Sequence, residues 1–208
     1  MTIQISSVDT IIIYFDEGIS EEILDQVQRA YRVLKPMEGI IDLTPSYNSL
    51  LLQYDIMLYD YQAIQERVKE TLAQDSQAQT IISNKNKLIE IPTNYDTTLG
   101  IDLERVAKIN KLSIDEVIEL HTQTIYRVYA IGFMVGFAYL ATVPTKIITP
   151  RLSTPRAKVP KGSVAIAEYQ TAIYPQDSAG GWNIIGHTEF DDFESFEVGD
   201  HVQFVRMG

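Results

Sequence analysis

The side chains best placed for chemistry are two arginines, each set behind a proline. Pro150-Arg151 and Pro155-Arg156 recur at a spacing of five residues. Proline fixes the backbone before each arginine, so both guanidiniums leave a stiff segment. A guanidinium is a planar fork of donors that matches a carboxylate or a phosphate at two points. The pair therefore points to an anion site. The competing reading is that each arginine is matched by one of the 28 acidic residues of the same chain. The three histidines are the other candidates. His121 falls in a helical stretch, His187 follows a glycine turn and His201 stands beside Asp200. Each can act as a general base near neutral pH, although a lone histidine is more often structural or exposed.

Other chemistries are excluded. The chain has no cysteine, so thiolate catalysis and disulfides are out. It contains no G-x-S-x-G elbow, no H-E-x-x-H metal motif and no G-x-x-x-x-G-K-[ST] nucleotide loop. A self-sufficient active site is therefore not expected. The net charge of −11 repels a phosphate backbone, which argues against nucleic-acid binding. That charge is unevenly spread. Between Glu119 and Glu168 there is no carboxylate, while Arg127, Lys146, Arg151, Arg156, Lys158 and Lys161 all fall there. This basic island reads either as an anion site or as a solvated loop.

The elements that must position these residues follow from periodicity. Hydrophobic residues make up 45% of the 208, enough for a core in each half. Thr10 to Phe15 reads as a strand. Ser20 offers an N-cap, and Ile23, Leu24, Val27, Ala30, Tyr31 and Leu34 form one helical stripe ended by Lys35-Pro36. Strands over Gly39–Leu43 and Ser49–Tyr54 follow, then a helix marked by Tyr61, Ile64, Val68 and Leu72. A polar loop, Gln74–Thr80, leads to a last strand, Leu88–Ile91, stopped by Pro92. The order βαββαβ predicts a ferredoxin-like domain over residues 1–92.

Residues 93–208 read as a helical linker followed by a compact β-barrel. Asp102 is placed to cap one short helix. Ser113 with Glu116 forms a capping box for a second, which carries His121. The acidic residues of that second helix argue against a DNA-reading helix pair. Gly132 and Gly136, four apart among aromatics, predict a tight backbone path past bulky rings. Short strands with glycine turns then run to Arg206. The uncharged run Val128–Thr145 approaches the length of a membrane helix, but Gly132, Gly136, Pro144 and its tyrosines favour buried strands. Met1–Asp9 has no basic, apolar leader character, and a chain without cysteine suits a reducing, cytoplasmic setting.

At these motifs the sequence resembles the family of the 5-oxoprolinase B subunit, which includes the sporulation kinase A inhibitor and was long labelled allophanate hydrolase subunit 1. The resemblance is carried by His121-Thr122, Gly132-Phe133-x-x-Gly136-Phe137-x-Tyr139-Leu140, Thr149-Pro150-Arg151 and Pro155-Arg156. It continues through Val159-Pro160-x-Gly162-Ser163-Val164, Gln170-Thr171, Tyr174-Pro175, Gly180-Gly181-Trp182 and Ile185-Gly186. It implies an α+β protein, with a cyclophilin-like β-barrel domain after the ferredoxin-like one. It also implies a non-autonomous hydrolase component that works with the A and C subunits to open 5-oxoproline with ATP. On that basis Arg151 and Arg156 are expected to bind anionic substrate or nucleotide groups, with His121, Gln170 and Tyr174 as further polar contacts of that substrate- or anion-binding site. Phe133, Phe137, Tyr139, Trp182 and His187 are expected to shape the pocket or a partner surface. The chain departs from the family pattern at Val135 and Ala179, where proline is usual, at Ala172, where glycine is common, and at Glu168-Tyr169. The alternative reading is a regulatory protein that inhibits a sensor histidine kinase.

Overall fold

The structure, a computed structural model, describes residues 1–77 and 86–208. The chain divides into two compact units, Met1–Lys85 and Asn86–Gly208.

The first unit contains β1 (Thr2–Ser7), β2 (Thr10–Tyr14), α1 (Glu21–Leu34), β3 (Ile40–Ser46), β4 (Ser49–Tyr54) and α2 (Tyr61–Gln77). Its strands form one antiparallel sheet in the order β1-β2-β4-β3. Alternation puts Ile11 and Ile13 of β2 and Leu50 and Leu52 of β4 on the buried face. There they meet Ala30 and Leu34 of α1 and Ile64 and Val68 of α2. Ser20 caps α1 as expected, its Oγ accepting from the Ile23 amide at 3.2 Å. The polar loop expected at Gln74–Thr80 is helical as far as Gln77, and its remainder lies outside the described residues.

The order βαββαβ is corrected at both ends. A strand unforeseen from sequence, β1, opens the sheet as an edge strand. Five of its six residues are exposed, so it has no alternation of buried and exposed residues. The strand expected to close the sheet, β5 (Leu88–Thr93), belongs to the second unit instead. It pairs in parallel with β13 (His201–Arg206) and buries Ile91 in that unit's core. The first unit is therefore ββαββα, and the boundary falls before the strand rather than after Pro92.

In the second unit, β5 is followed by α3 (Leu103–Asn110), α4 (Ile114–Gln123), β6 (Ile125–Ile131) and β7 (Ala138–Ala141). Then come β8 (Arg156–Val159), β9 (Ser163–Ala167), β10 (Gln170–Ile173), β11 (Ser178–Gly180), β12 (Asn183–His187) and β13. Seven of these strands form a sheet in the order β12-β9-β10-β7-β6-β13-β5, while β8 and β11 make a separate ribbon. The two edges of the large sheet meet just beyond β5. The amides of Asn94 and His187 each donate to the other's carbonyl, at 2.8 and 2.9 Å. The result is a nearly closed barrel. The uncharged run expected to be buried strands supplies β6 and β7. Among the described residues no helix is long and apolar enough to cross a membrane.

Alternation along β9 and β10 separates two cores. Val164, Ile166 and Ile173 join the larger one, beneath α3 and α4. Ala165, Ala167, Ala172 and Tyr174 face the other way, into a smaller cluster with Phe137, Val159, Trp182 and Ile184. The capping box of α4 is formed, with Ser113 Oγ accepting from the Glu116 amide and Glu116 accepting from the Ser113 amide.

Candidate functional site

The smaller cluster brings together most of the aromatic residues singled out from sequence. Phe137 is its hub. Its ring lies edge-on to Tyr139 at 4.9 Å, to Tyr174 at 5.4 Å and to Trp182 at 5.7 Å between centroids. Such contacts are geometrically specific beyond their area. Phe133 packs edge-on against Phe137 at 5.5 Å but is itself 66% exposed. It also takes a positive φ of 72°, an unfavourable region for a bulky residue. The turn that presents it ends at Gly136, where φ is 78° and an added Cβ would lie 2.7 Å from Phe193 Cβ. The expected close approach thus holds at Gly136. It does not hold at Gly132, which has open space around it. Gly180 is a second close approach, since a Cβ there would fall 2.3 Å from the Tyr174 hydroxyl.

Both proline-backed arginines come to this cluster. The Arg151 guanidinium lies 5.7 Å from the centre of the Trp182 ring, a cation–π arrangement. Among the described residues it has no ion-pair partner. Arg156 donates through Nη2 to Asp102 Oδ1 at 2.6 Å, while its buried Nη1 finds no acceptor among the described residues. Burial pushes the Tyr174 hydroxyl above the usual phenol range, opposed by the Trp182 backbone amide and by both guanidiniums. Tyr139 is raised by burial too and is partly offset by Arg151. Gln170 lies on the same face of β10 as Ala172 and Tyr174.

Half of the basic island is paired in space: Arg156, Lys158 and Lys161 each meet a carboxylate. Lys158 pairs with Asp177 at 2.7 Å, Lys161 pairs with Asp191, and Arg127 is buried. The exposed Lys158 and Lys161 fit the solvated-loop reading, and of the two arginines Arg156 is matched by an acid along one edge.

His121 is not brought to the arginines. It is fully buried on the opposite side of the sheet, stacked 4.5 Å from Phe204. Its Nε2 meets Thr171 Oγ1 at 2.9 Å and its Nδ1 meets the Tyr95 hydroxyl at 2.7 Å. Thr171 spends its only proton on the Ala165 carbonyl, so its oxygen accepts from Nε2–H. Nδ1 is then bare and accepts from Tyr95. Burial lowers the pKa of this ring to about 3, which keeps it neutral. The expectation of a polar substrate contact fails because Thr171 and Tyr174 project to opposite faces. His187 closes the barrel seam, with Nε2 donating to the Lys161 carbonyl at 3.1 Å, at the end of β12 away from Trp182. His201 is a residue of β13.

Three residues have a role at the site that the sequence reading did not give them, and Asp102, expected only as a helix cap, is one. Asp102 stands at the N-cap position of α3, but its side chain makes no cap bond. It binds Arg156 through Oδ1 and the Ile184 amide through Oδ2, the latter at 2.8 Å. Arg105 Nη1 donates to Asn183 Oδ1 at 2.6 Å, and Asn183 Nδ2 donates to the Pro150 and Ile166 carbonyls. Asn183 thus ties a third arginine to the segment that carries Arg151. Gly100, two residues before Asp102, touches β12 so closely that a Cβ would sit 2.3 Å from Ile185 O, a contact that local sequence does not report. Among the described residues no group of side chains could hold a metal ion.

Residues 1–199 match the family described as carboxyltransferase domain, subdomain C and D. The chain is 36% identical to the 5-oxoprolinase B subunit of Bacillus subtilis (strain 168), an alignment covering 94% of this chain and 88% of that one. It is 35% identical to the corresponding 5-oxoprolinase component of Haemophilus influenzae, covering 85% and 84%. The chain belongs to the 5-oxoprolinase B subunit family. Among solved structures, TTHA0988 superposes with a TM-score of 0.81 at 33% identity, over 97% of this chain. This chain spans only 40% of that one. Urea carboxylase of Kluyveromyces lactis, 15% identical with a TM-score of 0.73 over 96% of this chain and 21% of its own, shares the fold.

Proposed function

We propose that this chain is a non-autonomous, cytoplasmic component of an ATP-dependent 5-oxoprolinase, working with the A and C subunits to convert 5-oxoproline to glutamate. One observation carries the reading. Arg151 lies over the Trp182 ring, and Arg156 pairs across the β8–β11 ribbon with Gly180, which abuts the Tyr174 hydroxyl, so both converge on one aromatic cluster. A lactam is a poor electrophile, and ATP supplies the energy that activates its carbonyl. This chain's part is to hold the substrate. Arg151 and Arg156 bind its carboxylate, Gln170 and Tyr174 are further polar contacts, and Phe137, Tyr139 and Trp182 form the apolar wall. Fixing the carboxylate orients the ring for attack, the contribution expected of positioning groups. The residues suit a carboxylate. The nucleotide is assigned to the complex as a whole.

The test is ATP-dependent formation of glutamate from 5-oxoproline, with the chain alone and with the A and C subunits. Activity only in the full mixture, abolished by R156A in a folded chain, supports the reading. Full activity of R156A refutes the site. A second reading, a regulator of a sensor histidine kinase, is favoured by the exposed apolar tip at Phe133 and Val135, 66% and 77% exposed. Inactivity with both companion proteins folded and bound would favour it.

A further inference from the structure

We infer that Asp102 is a positioning residue for anion recognition: its carboxylate holds the Arg156 guanidinium so that the remaining donors of that group serve a ligand carboxylate. The inference rests on the anion-site reading of Arg151 and Arg156.

Asp102 is itself fixed. Its side chain is 7% exposed, Oδ2 accepts from the Ile184 amide, and its own amide donates to the Ile184 carbonyl at 2.8 Å. It therefore cannot follow a mobile arginine, and it sets where Arg156 lies. The contact uses one nitrogen, Nη2, at 2.6 Å. The second carboxylate oxygen is taken by the Ile184 amide, so the two-point fork that such pairs often form is not made and part of the guanidinium is left unused. Among the described residues Nη1 finds no acceptor, while the side chain as a whole is 27% exposed, so the group keeps donors that Asp102 does not use and a face open to a ligand. A buried donor without an acceptor is costly and uncommon. An incoming carboxylate supplies what it lacks. The other acids that meet the basic island differ: Asp177 and Asp191 sit at the surface, with side chains 53% and 75% exposed.

Two effects oppose each other if the charge of Asp102 is removed. The anion loses a repulsive neighbour, and Arg156 loses its anchor. The second prevails. A partly buried guanidinium without a counterion relaxes toward water and carries its donors away. An orientation-specific, charge-assisted hydrogen bond is then lost.

The sole tryptophan, Trp182, lies in the site, so its fluorescence reports ligand binding to the full chain directly. The probes are 5-oxoproline and its neutral carboxamide, titrated into wild type, D102N and R156A. Wild type is expected to prefer the acid. D102N is expected to lose about tenfold of that preference, with carboxamide affinity little changed. A merely structural role would weaken both ligands together and leave the preference intact. If R156A loses the preference while D102N keeps or increases it, the role of Asp102 is refuted and the anion site stands. If wild type shows no preference, or no saturable response to the acid, the anion site itself is refuted.

Discussion

Replacing His121 should remove a defined part of the protein's sensitivity to acid. In the folded chain the ring is buried, hydrogen-bonded as the neutral Nε2–H tautomer, and titrates at about 3. In the unfolded chain it titrates near its ordinary value of about 6.5. Between these values the unfolded state holds a proton that the folded state refuses. The folded state therefore has its full advantage above roughly pH 6.5 and loses it as the pH falls toward 3. At about pH 5 the loss is about 1.5 pH units at 1.36 kcal/mol each, or roughly 2 kcal/mol. A urea m-value of about 2 kcal/mol/M makes this a midpoint shift of about 1 M. Urea titrations followed by Trp182 fluorescence report on the unit that contains His121. H121Q keeps a donor and an acceptor but cannot take up a proton. Carboxylates that also titrate, such as Glu116 and Asp177, respond alike in both proteins and cancel in the comparison. Wild type should lose about 2 kcal/mol more than H121Q between about pH 7.5 and 5. Equal losses would refute the reasoning and mean that the ring is protonated in the folded chain.

Gly136→Ala should destabilise the second unit by roughly 2–4 kcal/mol, combining a left-handed backbone with a clash against Phe193, measurable as a lower urea midpoint. Gly132→Ala, with open space at the same spacing, should be far milder by the same measurement. Phe137→Ala removes the hub of the aromatic cluster and should cost roughly 3–5 kcal/mol, with a change in the Trp182 emission maximum. Ser113→Ala breaks the capping box of α4 and should cost about 1 kcal/mol in thermal denaturation while leaving ligand binding unchanged.

Local signals were legible where one element satisfies itself. The stripe of α1, the cap at Ser20, the box at Ser113–Glu116 and the alternation of β2 and β4 are all contained within a few residues. Which sheet a strand joins is a different kind of fact. Leu88–Thr93 has a pattern that either unit could use, and its partner, β13, lies more than a hundred residues away. Nothing within β5 reports that pairing. β1 shows the converse: an exposed edge strand carries little hydrophobic pattern, so periodicity passes over it.

The same distinction explains the site. Residue type and spacing picked out Arg151, Arg156 and the aromatic residues, because stiff prolines and repeated rings are local features. The sign of the electrostatics was not local. Six cations without a carboxylate looked like a positive patch, yet Asp102, Asp177 and Asp191 are delivered to it from other segments. Two of these acids are solvated and contribute little to orientation. Asp102 is buried and rigid, and it meets an arginine that still has an unmet donor. Burial therefore decides between the two readings of the island, since a counterion in water only neutralises, whereas one held in the fold also aims. By that criterion Arg156 is the more rigidly aimed of the two arginines. Arg151 has no ion-pair partner among the described residues and lies over the Trp182 face, so on the proposed reading it is the arginine that closes on a ligand.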